Sequence, residues 1–482
     1  IFGFCRDIML AAFLGSGPIG EAFIIAFSLP NIFRRFFAEG AFNAAFIPIF
    51  KKSMHNKKQT IDFTNNTFSI MILILFIFTI VSIIIMPLFV LAMASGFEND
   101  VRFETSIIYG RITFPYIFFV SLSSLFAGIL NSYGKFGVVS ATPIFLNLFL
   151  ILAMTLSYIL DWEVGIILSI SVPLSGILQL IVLIHVTRKL GYYPKLKLPK
   201  YDGKIRKLFI IALPAVLTGG VIHINLLVGR QIASYYDGAI AWLNYADRLY
   251  QLPLGVVGVA LGSVLLPKLS EKIQLDNSSE MHNVVSNALK IAAILIFPAT
   301  AALIILPLPI ITVLFERGEF STIDSKNTAS ALAIYATGLP AFVLHKIFTP
   351  IFFSKGDTKT PFRIALFSML ANIILAISLI GHFEFLAPVL STSISSWIMA
   401  FALYHKSKKL GFYFDLKLIK KIIMIMTSTF ILSLVLIFAQ KEWFYLLTNH
   451  NFSLFYLIIL ISASSSVYFI ILWFFGILKK NK

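Results

Sequence analysis

Long apolar blocks separated by short polar stretches dominate this chain, and few segments alternate on the two-residue period of a half-buried strand. About 20 residues of helix cross the hydrocarbon of a bilayer. Blocks that reach or approach that length fall near 1–15, 19–50, 63–95, 105–131, 138–159 and 164–187. A second set follows near 207–234, 239–267, 285–314, 326–353, 361–380 and 386–404, and two more lie near 418–439 and 453–478. The pattern predicts an all-α polytopic membrane protein of about fourteen transmembrane helices, the first of them short.

The polar stretches orient these helices. KKSMHNKK (Lys51 to Lys58), RKLGYYPKLKLPKYDGKIRK (Arg188 to Lys207), HKSKKLGFYFDLKLIKK (His405 to Lys421) and the closing KKNK are strongly basic. The alternate connections, FENDVRFE (Phe97 to Glu104), DWE (Asp161 to Glu163), ERGEF (Glu316 to Phe320) and GHFE (Gly381 to Glu384), are neutral or acidic. The positive-inside rule therefore sets the basic loops and both termini in the cytoplasm.

The second half repeats the first. Arg6 precedes Pro30 by 24 residues and Arg230 precedes Pro253 by 23. The second helix of each half closes on proline and a basic residue, in IPIFKK (Ile47 to Lys52) and LPKLSEK (Leu266 to Lys272). FPYIFFVSLSSLFAGILNSYGKFG, from Phe114, is echoed by LPAFVLHKIFTPIFFSKGDTKT, from Leu339, and each leads to a proline-led helix at Pro143 or Pro361. Two pseudo-symmetric six-helix lobes follow, residues 1–202 and 203–412, with two appended helices in 413–482. An even number of helices separates the copies, so the repeat is parallel and its axis lies along the membrane normal. The same offset sets the start of helix seven against a point roughly 15 residues before Ile1, so the first helix is expected to lack its beginning.

Composition narrows the class. A mean hydropathy of +0.90 with 58% hydrophobic residues leaves a soluble fold no way to hide its apolar surface. The net charge of +17 would suggest nucleic acid in a soluble chain, but the cytoplasmic loops account for most of it here. The single cysteine excludes an internal disulfide. There is no Walker A loop, no HExxH and no paired-histidine spacing, so the sequence offers no catalytic or metal motif and predicts no cofactor.

Charge inside the membrane is what remains to be explained, since a cation at mid-bilayer costs roughly 2.5–3.5 kcal/mol. The first lobe carries Arg6, Asp7, Glu21, Arg34, Arg35, Glu39 and Arg111, and the second carries Arg230, Asp247, Arg248 and Lys346. Local pairs are open to several of them: Arg6 beside Asp7, Arg35 four residues from Glu39, Arg248 beside Asp247. The excess of cations in both lobes points also to a shared cationic cavity. Guanidinium stays charged and offers two parallel donors, which suits a phosphorylated anion. Pro30, Pro115, Pro253 and Pro340 interrupt the backbone donors of long spans and are expected to break or bend them.

The run EAFIIAFSLPNIFRRFFAEGAFNAAFIPIF from Glu21 strongly resembles the signature of the MurJ (MviN) lipid II flippase family. GFCRD at Gly3, RITFPYIFF at Arg111 and NYADRLYQLPLGVVGVALGSVLLPKLS at Asn244 match in the same order, and the similarity covers essentially the whole chain. The family lies in the multidrug/oligosaccharidyl-lipid/polysaccharide exporter superfamily. The resemblance implies a transporter of the bacterial inner membrane that moves the undecaprenyl-pyrophosphate-linked peptidoglycan precursor outward. It sets the family's cavity arginines on Arg6, Arg34 and Arg248, and its acidic residue early in helix two, usually Asp, on Glu21. A further arginine of the family's first helix would precede Ile1. The two appended helices would form a groove for the lipid tail. No acid stands between Lys207 and Ala233, where some relatives hold sodium. Two other readings stay open from the residues: a flippase for another polyprenyl-linked glycan, and a membrane scaffold that docks wall-synthesis enzymes on its basic loops.

Overall fold

The computed structural model describes residues 2–37, 41–274, 278–443, 446 and 452–478; within them, the side chains of 35–37, 41, 44, 212–224, 259, 260, 262–274, 278 and 279 are not described. The regular elements of the described chain are all helices, and each apolar block coincides with one helix or with two in succession. Among the described residues, nine helical stretches are long and apolar enough to cross a membrane. The shortfall against about fourteen has a plain origin. The first helix has 13 residues, the second block divides into two shorter helices, the Lys359–Leu410 stretch takes in the eleventh and twelfth blocks together, and the seventh and eighth blocks contain residues whose side chains are not described.

Contacts divide the chain into two compact units, Ile1–Ala241 and Trp242–Lys482. The first holds α1(Phe2–Leu14), α2(Pro18–Phe37), α3(Ala41–Ser53), α4(Lys57–Ile84), α5(Met86–Met93), α6(Val101–Thr113), α7(Tyr116–Ser132), α8(Phe136–Ala141), α9(Pro143–Leu160), α10(Val164–Arg188) and α11(Gly203–Ala233), and it takes in the start of α12(Ala239–Gln274). The second holds the rest of α12 with α13(Ser278–Ile305), α14(Pro307–Phe315), α15(Thr322–Ser354), α16(Lys359–Phe383), α17(Ala387–Ser407), α18(Leu416–Glu442) and α19(Ser453–Phe474). The contact boundary thus falls after the seventh apolar span, while the sequence repeat changes over before it.

Side-chain carboxylates and amides start several of these helices. Asn56, Asp100, Asp202 and Asp415 each accept a hydrogen bond from a backbone N–H in the first turn of α4, α6, α11 and α18. Such caps satisfy donors that the helix itself leaves open. Ser321 and Asp324 form a reciprocal capping box on α15.

Burial runs opposite to that of a soluble protein along α4. Thr60, Thr64, Asn65, Asn66 and Ser69 are buried, while Leu73, Phe76, Ile77, Ile80 and Ile84 are exposed. Lipid solvates the apolar side chains, so the inward face is free to take polar ones. Asn65, Asn66 and Ser69 accept from the backbone N–H groups of Lys195, Lys200 and Lys197, and so hold the loop before α11 along α4. Beneath them Phe46 stacks with Phe42, Phe50 and Phe63, which seats α3 against α4.

In the second unit, α15 packs on α13 and α17 and α18 on α13. α19 joins α13 through the Tyr468 hydroxyl, which donates to the carbonyl of Ile294 (2.9 Å).

The four prolines behave differently from one another. Pro30, Pro253 and Pro340 lie inside continuous helices. A helix can run through proline with one hydrogen bond missing when neighbours pack it. At Pro115 the helix does divide, between Thr113 and Tyr116. There Ile117 N–H bonds the Phe114 carbonyl and Phe118 N–H that of Pro115, the tighter three-residue spacing.

Candidate functional site

The intramembrane charges predicted from sequence separate into distinct settings. On α1, Arg6 and Asp7 are both buried, and the guanidinium donates twice to Asp7 Oδ1 (3.0 and 2.6 Å). Its third bond, 2.8 Å to Asn147 Oδ1, reaches across to α9. A neutral, bonded pair can stay in a low-dielectric interior where a lone cation could not. These three bonds use three of the five N–H donors of the guanidinium.

Glu21 is 1% exposed and is the best-held acid of the first unit. Its Oε2 accepts from Arg102 Nη1 at 2.8 Å, and its Oε1 accepts from the backbone N–H of Ile240 at 3.0 Å, in the first turn of α12. Arg102 spends its remaining donors on Asp100 (2.6 Å) and Asp237 (2.9 Å), and lies 4.5 Å over the Phe97 ring. Burial pushes the Asp100 carboxyl up, but the bonds from the Arg102 backbone and guanidinium outweigh it and hold the group below its ordinary range. Gly238, with φ +83, supplies the left-handed turn that brings Asp237 and Ile240 round to this cluster.

A second set of bonds lies beside it. Ser95 N–H donates to Gln231 Oε1 (3.1 Å), Gln231 Nε2 donates to Ser95 Oγ (2.5 Å), and Gly96 N–H donates to Ser234 Oγ (2.9 Å). The backbones are so close that a Cβ on Gly96 would lie 2.5 Å from the Ser234 carbonyl carbon. Together the two sets clamp the Ala233 end of α11 and the start of α12 to α2, α5 and α6. These are the helix ends remote from the basic loops.

The other predicted residues lie outside this clamp. Arg34 is half-buried on α2, one turn past Pro30. Glu39 and the Arg35 side chain lie outside the described residues, so their expected pairing is not part of this picture. Arg111 is exposed on α6, with Nε donating to the Ile83 carbonyl (3.3 Å). Arg230 is half-buried in the last turn of α11. In the second unit Arg248 is half-buried on α12, and Asp247 accepts from Gln251 Nε2. Lys346 is exposed on α15, with its ammonium against Gly258 of α12.

Arg102, Asp237, Gln231 and Asn147 were missed from sequence. Arg102 stands in an acidic connection, FENDVRFE, where an arginine flanked by carboxylates reads as a surface pair. That lone cation among acids was the available signal.

A cavity of about 300 Å³ opens in the second unit between α13, α15, α17 and α18. Phe297, Pro340, Leu344, Trp397, Ile422 and Ile423 line it, so it offers carbon surface almost alone.

Comparison with known proteins bears on the family and the fold. The family described as "Lipid II flippase MurJ" matches residues 10–463. A protein of Rickettsia prowazekii (strain Madrid E) named "Probable lipid II flippase MurJ" is 38% identical over 411 residues, 85% of this chain and 81% of its own. A solved structure titled "Lipid II flippase MurJ, inward closed conformation" is similar with a TM-score of 0.82 at 27% identity, covering 98% of this chain and 96% of its own. An inward-facing multidrug resistance MATE family transporter of the MOP superfamily is similar in fold alone: TM-score 0.69, 14% identity, 85% of this chain and 94% of its own.

Proposed function

This chain belongs to the MurJ lipid II flippase family, and from that premise we propose that it carries lipid II from the inner to the outer leaflet by alternating access through a cationic cavity. The observation that carries the reading is the likeness in fold to a lipid II flippase over nearly the full length of both chains. The protein is a multi-pass membrane transporter. Its location is the bacterial cytoplasmic membrane, with both termini in the cytoplasm, which the distribution of basic loops supports.

The pyrophosphate is the part of the substrate that hydrocarbon most strongly rejects. We assign it to Arg6, Arg34 and Arg248, with Arg230 and Lys346 contributing to the field. Guanidinium forks pair with phosphate oxygens and stay charged at every relevant pH. The polyprenyl tail needs only carbon surface, which the apolar cavity beside α18 offers; this cavity adjoins α18 without drawing its walls from α19. Alternating access requires bonds present in one state and absent in the other. The clamp of Glu21, Arg102 and Asp237 suits that task, because it closes the end opposite the basic loops with bonds that water can replace on opening. An inside-negative potential favours outward movement of an anion by about 2.3 kcal/mol per charge per 100 mV for full transfer.

The test uses cells depleted of the protein and an external enzyme that cleaves exposed lipid-linked precursor. Precursor should accumulate beyond the enzyme's reach, and Arg34→Ala or Arg248→Ala should fail to restore access. Normal exposure with loss of another surface glycan would transfer the assignment to that glycan. Normal exposure with mislocalised wall synthesis would point to a scaffold.

A further inference from the structure

The Gly203 end of α11 carries a site that the transport reading does not use. α3 ends in IPIFKKS and α11 begins GKIRK, so each delivers lysines to the basic-loop side of the membrane. The two helices pack on each other, and between them, beside the first turn of α4, lies a cavity of about 450 Å³. Its polar wall is Lys52, Ser53, Gln59, Lys204 and Lys207, and Ile49 and Ile211 form an apolar flank. That volume falls in the range of about 300–1,000 Å³ usual for small-molecule sites.

No acid lines it. The nearby carboxylates are committed: Asp202 caps α11 by accepting from Ile205 N–H (2.8 Å), and Asp62 pairs with Lys197 (2.7 Å). Among the described residues none of the three lysines has an ion pair, and Lys204 has only the Phe63 ring, 5.9 Å away. Three like charges facing one space repel each other unless an anion enters. The flank of isoleucines excludes a purely aqueous ion as the best fit, since carbon surface beside a cationic wall matches a headgroup joined to hydrocarbon. Basic pockets between helices on the cytoplasmic side take lipid phosphates for this reason.

We propose that this cavity binds the phosphate headgroup of an anionic lipid of the cytoplasmic leaflet. Lysine, a flexible point charge, suits a headgroup that exchanges with the bilayer better than the rigid fork of arginine. The phosphate has two lipid sources: bulk anionic phospholipid, or a polyprenyl pyrophosphate held before transport. The site does not depend on the flippase reading, because lipid retention is measured without transport.

The experiment is native mass spectrometry of the purified full chain exposed to phosphatidylglycerol and, separately, to phosphatidylcholine. The wild type should retain phosphatidylglycerol selectively. Lys52→Gln, Lys204→Gln and Lys207→Gln together should cut that retention on the order of a hundredfold, about fivefold for each lysine near an anionic headgroup. The matching triple change to arginine should keep it, which separates loss of charge from loss of fold; an unchanged melting temperature of the glutamine variant is the second check. Removing three exposed lysines elsewhere, by Lys406→Gln, Lys409→Gln and Lys417→Gln, should leave retention within twofold. Equal loss in that control, or full retention in the cavity variant, overturns the proposal. Displacement by undecaprenyl pyrophosphate identifies a waiting substrate, and resistance to it a resident phospholipid. Displacement by inorganic phosphate alone would overturn the lipid assignment.

Discussion

The two ends of α11 meet charge in opposite ways. At the Ala233 end a cluster of charges is answered within the protein: Arg102 is shared among Glu21, Asp100 and Asp237, and the backbone of Ile240 completes the carboxylate. At the Gly203 end three lysines share a cavity that no acid lines among the described residues. A closed network fixes a geometry, because moving one member strands the others in a poor solvent. An open cationic cavity leaves its neutralisation to whatever the membrane supplies. The comparison suggests that one end is a structural lock that must be broken as a unit and the other an adjustable contact with lipid.

Breaking the lock gives the largest effect. Arg102→Gln leaves the buried Glu21 carboxylate without its cation, and losing one partner of a buried pair costs about 3–5 kcal/mol. Denaturant unfolding in detergent should register that loss, and Glu21→Gln added to it should recover part. Full additivity of the two changes would show that the pair is not coupled.

Gly96→Ala tests the close approach without touching charge. The new methyl must displace the Ser234 backbone, at about 1–3 kcal/mol for an overpacked contact. A disulfide engineered between Ser95→Cys and Gln231→Cys should then form more slowly than with Gly96 intact. An unchanged rate would mean that the α11 end yields at no cost.

Gln59→Glu asks whether the lysine cavity can be turned into a closed network. The new carboxylate occupies the third position after the Asn56 cap, where an acid suits the helix terminus. Phosphatidylglycerol retention should fall about fivefold, while stability should hold or rise slightly.

Two smaller effects sharpen the contrast. Asp100 has a depressed pKa in the folded protein, so its contribution is complete above the unfolded value of about 3.9 and is lost as pH falls through the folded one. Clamp stability should therefore be insensitive to this group from pH 8 to about 5, and Asp100→Asn should remove the acid-side dependence that follows. Asp62→Ala breaks an exposed pair with Lys197 and should leave the melting temperature nearly unchanged, since water screens both partners.

The legible part of this protein is the part governed by local rules. Apolar block length gave the helices, because bilayer thickness acts on each segment separately. Arg6 and Glu21 stood out because a charge in an apolar run is conspicuous, and adjacency in sequence was enough to anticipate the bond from Arg6 to Asp7. Pro115 and Pro30 looked alike in sequence, yet one divides its helix and the other does not, since packing decides whether a missing hydrogen bond is tolerated.

By itself, then, the sequence determined an all-helical membrane protein and showed which charges stand inside its apolar runs. Tertiary structure alone decided that Arg102 neutralises Glu21 across 81 residues, that Gly96 admits Ser234, and that lysines from α3 and α11 share one cavity. The reason is the range of the forces. Hydrophobic length and net loop charge are properties of a segment, whereas neutralising a buried charge depends on which distant segment folds within about 3–4 Å of it.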